Sequence, residues 1–322
     1  MRSKKYYKMS KKFEFPPELD FIRAGRLPQK VSTTSMDGKI CVITGTTSGV
    51  GYQAAIRLAK AGAKIVMLVR SKEKAENLCA EIRLLSSYEP EYFLADFANL
   101  SEVKKATEEI LAKYAKIDVL INNAGIHLTT RQLTIDSYEK VFAVNHLASF
   151  LVTSILLKQM IKSAPSRIIQ VNSEGHRFNG LQIDDLNWEN RKYGGYGSYG
   201  ASKTAQLMTV WELNDLLKNK GVTINAMHPG AVKSNIGSYN GKFYNWFSKY
   251  LMQPFLKNPE ISGEAIYYLA SSPEMEGVSG KFYNLTNEEM PAPHALNREL
   301  GKRIFEKSKK LIQLDKENVY EV

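Results

Sequence analysis

An α/β fold with one doubly wound parallel sheet, covered by helices on both faces, is what this 322-residue sequence predicts. Two observations predict it. From residue 39 onward, short runs rich in Val, Ile and Leu alternate with longer helical patterns, and such apolar strands belong to a sheet buried on both sides. A cluster of glycines also lies between the first strand and the first helix, where a fold of this kind turns most tightly. No Pro/Gly-rich linker divides residues 38–290, and no solenoid-type repeat is present. One domain is expected over 38–290, with a basic extension over 1–37 and a helical tail over 291–322.

The elements follow in order. Ile40–Thr44 reads as a strand, then the glycine turn and a helix to about Ala61. Lys64–Val69 is a second strand and Lys72–Leu85 a helix, which Pro90 separates from a strand around Phe93. Ser101 is expected to cap a helix running to Tyr114. Asp118–Asn122 and Arg167–Asn172 are further buried strands, separated by a helical stretch near 135–162. A helix from Ser198 to Asn219 is expected to end at Gly221 as its cap, and Val222–Met227 supplies another strand.

Bulk composition excludes several classes. Hydrophobic content of 43% and charged content of 24% are ordinary for a globular protein. No apolar run is expected to reach the roughly 18 residues that span a bilayer. The basic first fifteen residues lack the apolar core of a secretory leader, so a cytoplasmic location is expected. Cys41 and Cys79 read as reduced thiols, and the five histidines have no metal-ligand spacing, so no metal is expected. Of the net charge of +11, a surplus of six comes from residues 1–30, where nine Lys/Arg face Glu14, Glu18 and Asp20. A solvated tail accounts for that surplus, with an anionic membrane surface or an acidic partner as the alternative. No nucleic-acid motif accompanies the charge, and no nucleic-acid partner is expected.

The turn Thr44-Gly45-Thr46-Thr47-Ser48-Gly49-Val50-Gly51 has the composition of a dinucleotide site. Glycines there permit the tight turn, the approach of a pyrophosphate and close helix–strand packing, while the helix start offers N–H groups to phosphate. This is a Rossmann-type arrangement. NAD-specific sites commonly place a carboxylate at the tip of the second strand to bind the ribose 2′-hydroxyl. Here the tip reads Val69-Arg70-Ser71. Arg70, with Lys74 nearby, suits a 2′-phosphate instead, so NADP(H) is expected.

Tyr199 and Lys203 are four residues apart on a helix and share a face. A free tyrosine has a pKa near 10, and a neighbouring ammonium is expected to lower it, making Tyr199 an acid–base catalyst. Ser173 at the end of a buried strand can polarise a carbonyl. Asn122-Asn123-Ala124-Gly125 ends another strand at the nucleotide crevice, and the Asn145 amide can hold a water that links Lys203 to solvent. A helix cap or buried hydrogen bond is the alternative role for each asparagine.

Together TGTTSGVG at 44–51, NNAG at 122–125, Asn145, Ser173, YGASK at 199–203 and HPG at 228–230 resemble the short-chain dehydrogenase/reductase family along about 250 residues. The resemblance implies catalysis by Asn145, Ser173, Tyr199 and Lys203. It also implies cofactor contacts from Gly45, Thr47, Ser48, Gly49, Val50, Gly51, Asp96, Phe97, Asn123, Ala124, Gly125, Pro229, Gly230, Val232 and Ser234. Within the family, Asp184-Asp185-Leu186-Asn187-Trp188 and the segment 304–311 are most similar to the retinol dehydrogenase and WW-domain oxidoreductase-like branch. That branch commonly uses NADP(H). Its animal retinol enzymes usually carry an apolar N-terminal anchor, and from the basic start of this sequence none is expected here. The family often forms homo-oligomers.

The expected function is a carbonyl reductase or alcohol dehydrogenase. Residues 235–257 hold seven aromatic side chains and no acid, reading either as a packed helix or as a lid over a lipophilic or aromatic small molecule. Lys242, Lys249 and Lys257 also permit contact with a membrane surface. A non-catalytic cofactor-binding regulatory module and a sugar-nucleotide epimerase or dehydratase are the alternatives. The intact Ser173, Tyr199 and Lys203 oppose the first, and the short segment after residue 286 opposes the second.

Overall fold

The computed structural model describes residues 24, 27–232, 236, 240, 258–314 and 320. Eight strands form one sheet: β1 (Ile40–Thr44), β2 (Lys64–Val69), β3 (Glu91–Leu94), β4 (Val119–Asn122), β5 (Ser166–Val171), β6 (Val222–His228), β7 (Phe282–Asn284) and β8 (Asn287–Glu288). Their order is β3-β2-β1-β4-β5-β6-β7-β8, and every pair is parallel except β7 with β8. The order reverses between β1 and β4, so the crevice beyond their carboxyl ends is where a fold of this kind binds ligands.

Alternation along the strands explains the layers. Val42 on β1 faces one core, and Cys41 and Ile43 face the other. The first core is covered by α3 (Leu100–Lys113), α4 (Lys140–Lys162), α5 (Gly195–Leu216) and α7 (Arg298–Leu311). The second is covered by α1 (Gly49–Lys60), α2 (Lys72–Arg83) and α6 (Glu260–Ser271). Both cysteines are free and buried. The doubly wound sheet is therefore the architecture the sequence predicts.

Local boundaries differ in instructive ways. Asn99, rather than Ser101, caps α3, because its side chain accepts from both Ser101 N and Glu102 N. The stretch near 135–162 becomes helical only at Lys140, after a turn in which Thr134 N bonds Tyr138 O and the Glu139 carboxylate accepts from Val141 N and Phe142 N. Inside α4, Ala143–Leu147 form a π-helical turn, a bulge of the kind that often marks functional sites. The Lys140–Lys162 helix is long and apolar enough to cross a membrane by length and composition, which corrects the expectation that no segment is; 89% of its apolar window is buried inside the protein. Helix α5 starts at Gly195, one turn before the expected Ser198, and ends at Leu216. Gly221 is therefore not its cap; at φ +72 it makes the turn into β6, where a Cβ would sit 2.8 Å from Ala164 Cβ.

Residues assigned by sequence to the extension are partly tied to the body. Thr34 O accepts from the Tyr267 hydroxyl at 2.5 Å, Ser32 Oγ from Ser271 Oγ at 2.8 Å, and Met36 N donates to Ala61 O at 2.7 Å.

Asp118 pins the amino ends of β1 and β4 together. It accepts from Ile40 N at 3.0 Å and pairs with Lys116 at 2.9 Å and Lys39 at 3.0 Å. Burial alone would raise its carboxyl pKa, yet Lys116, the Ile40 N–H and Lys39 hold it below the ordinary value. A lowered folded-state pKa stabilises above the unfolded value near 3.9, and that stability is lost as pH falls through the folded one. Asp118→Asn should cost about 2 kcal/mol at pH 7 by urea unfolding, with the deficit shrinking below about pH 4. A deficit constant from pH 7 to pH 2 would contradict this role.

Candidate active site

At the carboxyl ends of β1 and β4, polar groups released from strand pairing find side-chain partners. Thr44 Oγ1 accepts from Asn123 N at 2.8 Å and Ala124 N at 2.9 Å. The Asn123 amide donates to Thr44 O and Gly45 O, both at 2.9 Å. Gly51 closes the same junction, since a Cβ there would lie 2.3 Å from Asn123 Nδ2 and 2.4 Å from Gly45 O. Gly45 and Gly49 take φ of +70 and +60, which glycine alone adopts without strain.

A cavity of about 910 Å³ opens above this junction. Gly45, Thr47, Ser48, Gly49, Val50, Arg70, Lys74, Asp96, Phe97, Asn123, Ala124 and Gly125 line it, as do Ser173, Tyr199, Lys203, Pro229, Gly230 and Val232. The start of α1 faces it, and Ser48 at its N-cap makes no side-chain cap hydrogen bond, whereas Ser71 and Asn99 do cap α2 and α3. Uncapped N–H groups beside a glycine turn fit a pyrophosphate.

Tyr199 and Ser173 meet at the floor. Both line the cavity, and the Ser173 hydroxyl accepts from Gly175 N at 3.0 Å while favouring the ionised form of the Tyr199 phenol. Gly175 lies flush against the ring, since a Cβ there would be 2.5 Å from Tyr199 Cε1. Lys203 is buried and donates to Val171 O and Gln206 Oε1, each at 3.1 Å. This uses two of its three N–H donors.

The sequence from 39 to 244 matches the family described as short chain dehydrogenase. The chain belongs to that family. Human retinol dehydrogenase 13 is 36% identical over 237 residues, 73% of this chain and 70% of that one. Human retinol dehydrogenase 14 is 36% identical over 231 residues, covering 67% and 68%. The chain thus falls in the retinol dehydrogenase-like branch. A short chain dehydrogenase from Burkholderia cenocepacia J2315, solved in complex with NADP, shares the fold with a TM-score of 0.62 and 23% identity, covering 77% of this chain and 96% of that one. As a short-chain dehydrogenase the protein is an oxidoreductase of alcohol and carbonyl groups that binds a nicotinamide cofactor.

In this short-chain dehydrogenase the Asn145 amide oxygen and the Lys203 nitrogen converge on Gly125, where a Cβ would lie 3.2 Å from the one and 3.8 Å from the other. The two N–H donors of Asn145 go to Ile126 O at 3.1 Å and Ser202 Oγ at 3.0 Å, and its oxygen accepts from Ile126 N at 2.8 Å. Asn145 fixes the chain after the NNAG motif against α5. The side chain that bonds Lys203, beside the Val171 carbonyl, is that of Gln206, which was not expected from the sequence. Its Oε1 also accepts from Asn172 Nδ2 at 3.0 Å, and its amide donates to Asn145 O. A polar residue one turn after Lys203, in a largely buried helix, was the available signal. His127, Phe178 and Tyr196 also line the cavity and were likewise missed. Ser234 and nearly all of the aromatic segment 235–257 lie outside the described residues; of that segment only Ile236, which lines the cavity, and Asn240 are described.

The expected lowering of the Tyr199 pKa is corrected. Burial pushes the phenol up to about 12, opposed by the Ser173 hydroxyl. Burial also pushes Lys203 down to about 7. The ammonium nitrogen stands 5.8 Å from the ring centroid, and desolvation weighs more on both groups than their mutual attraction.

Beside Ser173, Arg177 joins the carboxylates of Glu174 and Glu289. His176 Nδ1 donates to Ser173 O at 2.7 Å, and its Nε2 accepts from Ala292 N at 3.0 Å. That pairing fixes one neutral tautomer, in keeping with a pKa that burial lowers to about 4.

The Lys203 shift carries a stability signature. Its folded pKa lies below the unfolded value near 10.4, so the folded state binds fewer protons between about pH 7 and 10. The penalty is full below about pH 7 and fades as pH rises towards the unfolded value. The stability of the wild type minus that of Lys203→Met should therefore increase from pH 7 to pH 10 in urea titrations. A flat difference would mean Lys203 is not desolvated.

Proposed function

We propose that this short-chain dehydrogenase is an NADP(H)-dependent carbonyl reductase or alcohol dehydrogenase acting on a lipophilic or aromatic substrate, with Tyr199 as its general acid and base. The observation that carries the reading is that Ser173, Tyr199 and Lys203 line one cavity with the uncapped start of α1. The nicotinamide cofactor, when bound, supplies or accepts the hydride. In the reducing direction Tyr199 gives its phenolic proton to the carbonyl oxygen. The neutral phenol favoured by burial is the form that step requires. Ser173 bonds the same oxygen and polarises the carbonyl. Lys203 holds the nicotinamide ribose through its remaining donor, while Gln206 and Asn145 keep Lys203 and the NNAG turn in position.

On the nucleotide side, Gly45, Thr47, Ser48, Gly49 and Val50 would hold the pyrophosphate, while Gly51, which does not line the cavity, would serve the cofactor site by letting the helix pack close to Gly45 and Asn123. Asp96 and Phe97 would contact the adenine, Asn123, Ala124 and Gly125 the cofactor's middle, and Pro229, Gly230, Val232 and Ser234 the nicotinamide. Arg70 and Lys74 line the cavity at the end of β2, and no carboxylate stands at that strand tip. A 2′-phosphate meets two cations there, which favours NADP(H).

Tyr199→Phe should reduce turnover of NADPH with a reactive aldehyde at least about a hundredfold while fluorescence titration shows NADPH bound nearly as before. A loss below threefold would remove Tyr199 from the chemistry. Arg70→Asp should weaken NADPH selectively, so that the ratio of NADPH to NADH affinity falls at least tenfold, about 1.4 kcal/mol. An unchanged ratio would reject Arg70 as the 2′-phosphate partner.

A further inference from the structure

Two acidic side chains meet behind Ser173 with one cation between them. Glu174 directly follows Ser173 and opens the turn Glu174–Phe178, and Glu289 directly follows β8. Arg177 spans the gap. Its Nε donates to Glu174 Oε2 and its Nη2 to Glu289 Oε1, with a further bond to Met290 O at 2.8 Å. Each carboxylate has a second oxygen, Glu174 Oε1 and Glu289 Oε2, that is buried and meets no hydrogen-bond donor among the described residues. The Glu289 side chain is fully buried. Two anions against one cation would leave a net negative charge away from water, beside two oxygens without a donor, and both conditions are costly.

One proton removes both. A carboxylic acid donates where a carboxylate cannot, so a protonated Glu289 bonds Glu174 and leaves a single anion against Arg177. The surroundings favour that division. Burial, and then the Glu174 charge, push the Glu289 carboxyl up to about 7. Burial of Glu174 is outweighed by His228, Arg177 and the Glu289 carboxyl, which hold it below the ordinary value. The other groups facing the pair are His176 on the same turn and Asn284 on β7, whose amide opposes the rise of Glu289, while His294 faces His176. Burial lowers His176 and His228 to about 4, so neither adds a cation near neutrality.

We infer that Glu174 and Glu289 share a single proton, and that this acid pair, clamped by Arg177, is the anchor that positions the Ser173 hydroxyl. The inference rests on the role of Ser173 proposed above. Glu289 is a positioning residue, since neither it nor Glu174 lines the catalytic cavity, whereas Ser173, Gly175 and His228 do. The path from clamp to hydroxyl is short. Ser173 Oγ accepts from Gly175 N at 3.0 Å, and Glu174 N donates to His228 Nδ1 at 3.4 Å. Loss of the shared proton sets two like charges at the root of that turn. Glu174, with 23% of its side chain exposed, is then the member that turns to water, and the backbone next to Ser173 moves with it.

The test uses the full chain with NADPH and a reactive aldehyde, comparing wild type, Glu289→Gln and Glu289→Ala. The glutamine amide donates to Glu174 and accepts from Arg177 as the acid does, but carries no titrating proton. The ratio of kcat, wild type over Glu289→Gln, cancels titrations common to both proteins, that of Lys203 included. It should fall at least about threefold as pH rises from about 6 to about 8.5. A flat ratio overturns the shared proton. Glu289→Ala should lose about tenfold in kcat at about pH 6 with KM for NADPH unchanged, and should exchange the amide hydrogens of 173–178 faster than wild type. Wild-type kcat or wild-type exchange in that variant overturns the anchor. If the alanine variant does not fold, exchange is compared between wild type and Glu289→Gln at about pH 8.5, where only the wild type has lost the proton. If the wild type reduces no carbonyl, the reductase reading fails, and exchange and urea unfolding decide the pair on their own. The folded pair keeps its proton to about pH 7 and the unfolded chain only to about 4.3, so the stability of wild type minus that of Glu289→Gln should fall between those values. A constant difference overturns the shared proton whatever the turnover.

Discussion

Where parallel strands stop pairing, their last polar groups need other partners, and in this protein the side chains that supply them also build the cavity. Thr44 satisfies the two N–H groups after β4, the Asn123 amide satisfies the carbonyls of the last residue of β1 and the one after it, and Gln206 gathers Asn172, Lys203 and the carbonyl of Asn145. The bonds of Gln206 are buried and those of Thr44 and Asn123 partly so, and in such places an unmet donor or acceptor is costly. The same dryness governs the chemistry. It keeps Tyr199 protonated and makes Lys203 easy to neutralise, so the electrical state of the floor follows from how the sheet ends are sealed.

The parts of this arrangement that were legible in the sequence are those set by local pattern. Apolar runs located β1, β2, β4, β5 and β6 to within a residue at each end, because a strand buried on both faces admits little else. The glycine turn was legible because left-handed backbone and close approach both demand glycine. Tyr199 and Lys203 were placed together by helical spacing alone, and both line the cavity with Ser173.

What was not legible depends on distant packing. Asn99 and Ser101 are both good caps by type, and only the path of the chain into α3 decides between them. Gly221 follows a helix closely enough to pass for its cap, yet it serves the turn against Ala164. The π-helical turn at Ala143–Leu147 leaves no mark in residue spacing that an ordinary helix would not also leave. The titration of Tyr199 was misjudged because spacing reports a neighbouring charge, while burial, the larger influence, exists only once the sheet and helices have closed around it. Phe178, Tyr196 and His127 are far apart in the chain and share no motif, so only folding makes them one surface.

His176 and Arg177 give the last strands a hold on the opposite side of the cavity. The loop that carries Ser173 is stitched through one imidazole to Ala292 and through one guanidinium to Glu289 and Met290. The hydroxyl is therefore positioned by residues more than a hundred places further along the chain. Shortening or replacing the segment that carries Glu289 and Ala292 therefore acts on the cavity from a distance, through the loop that holds Ser173.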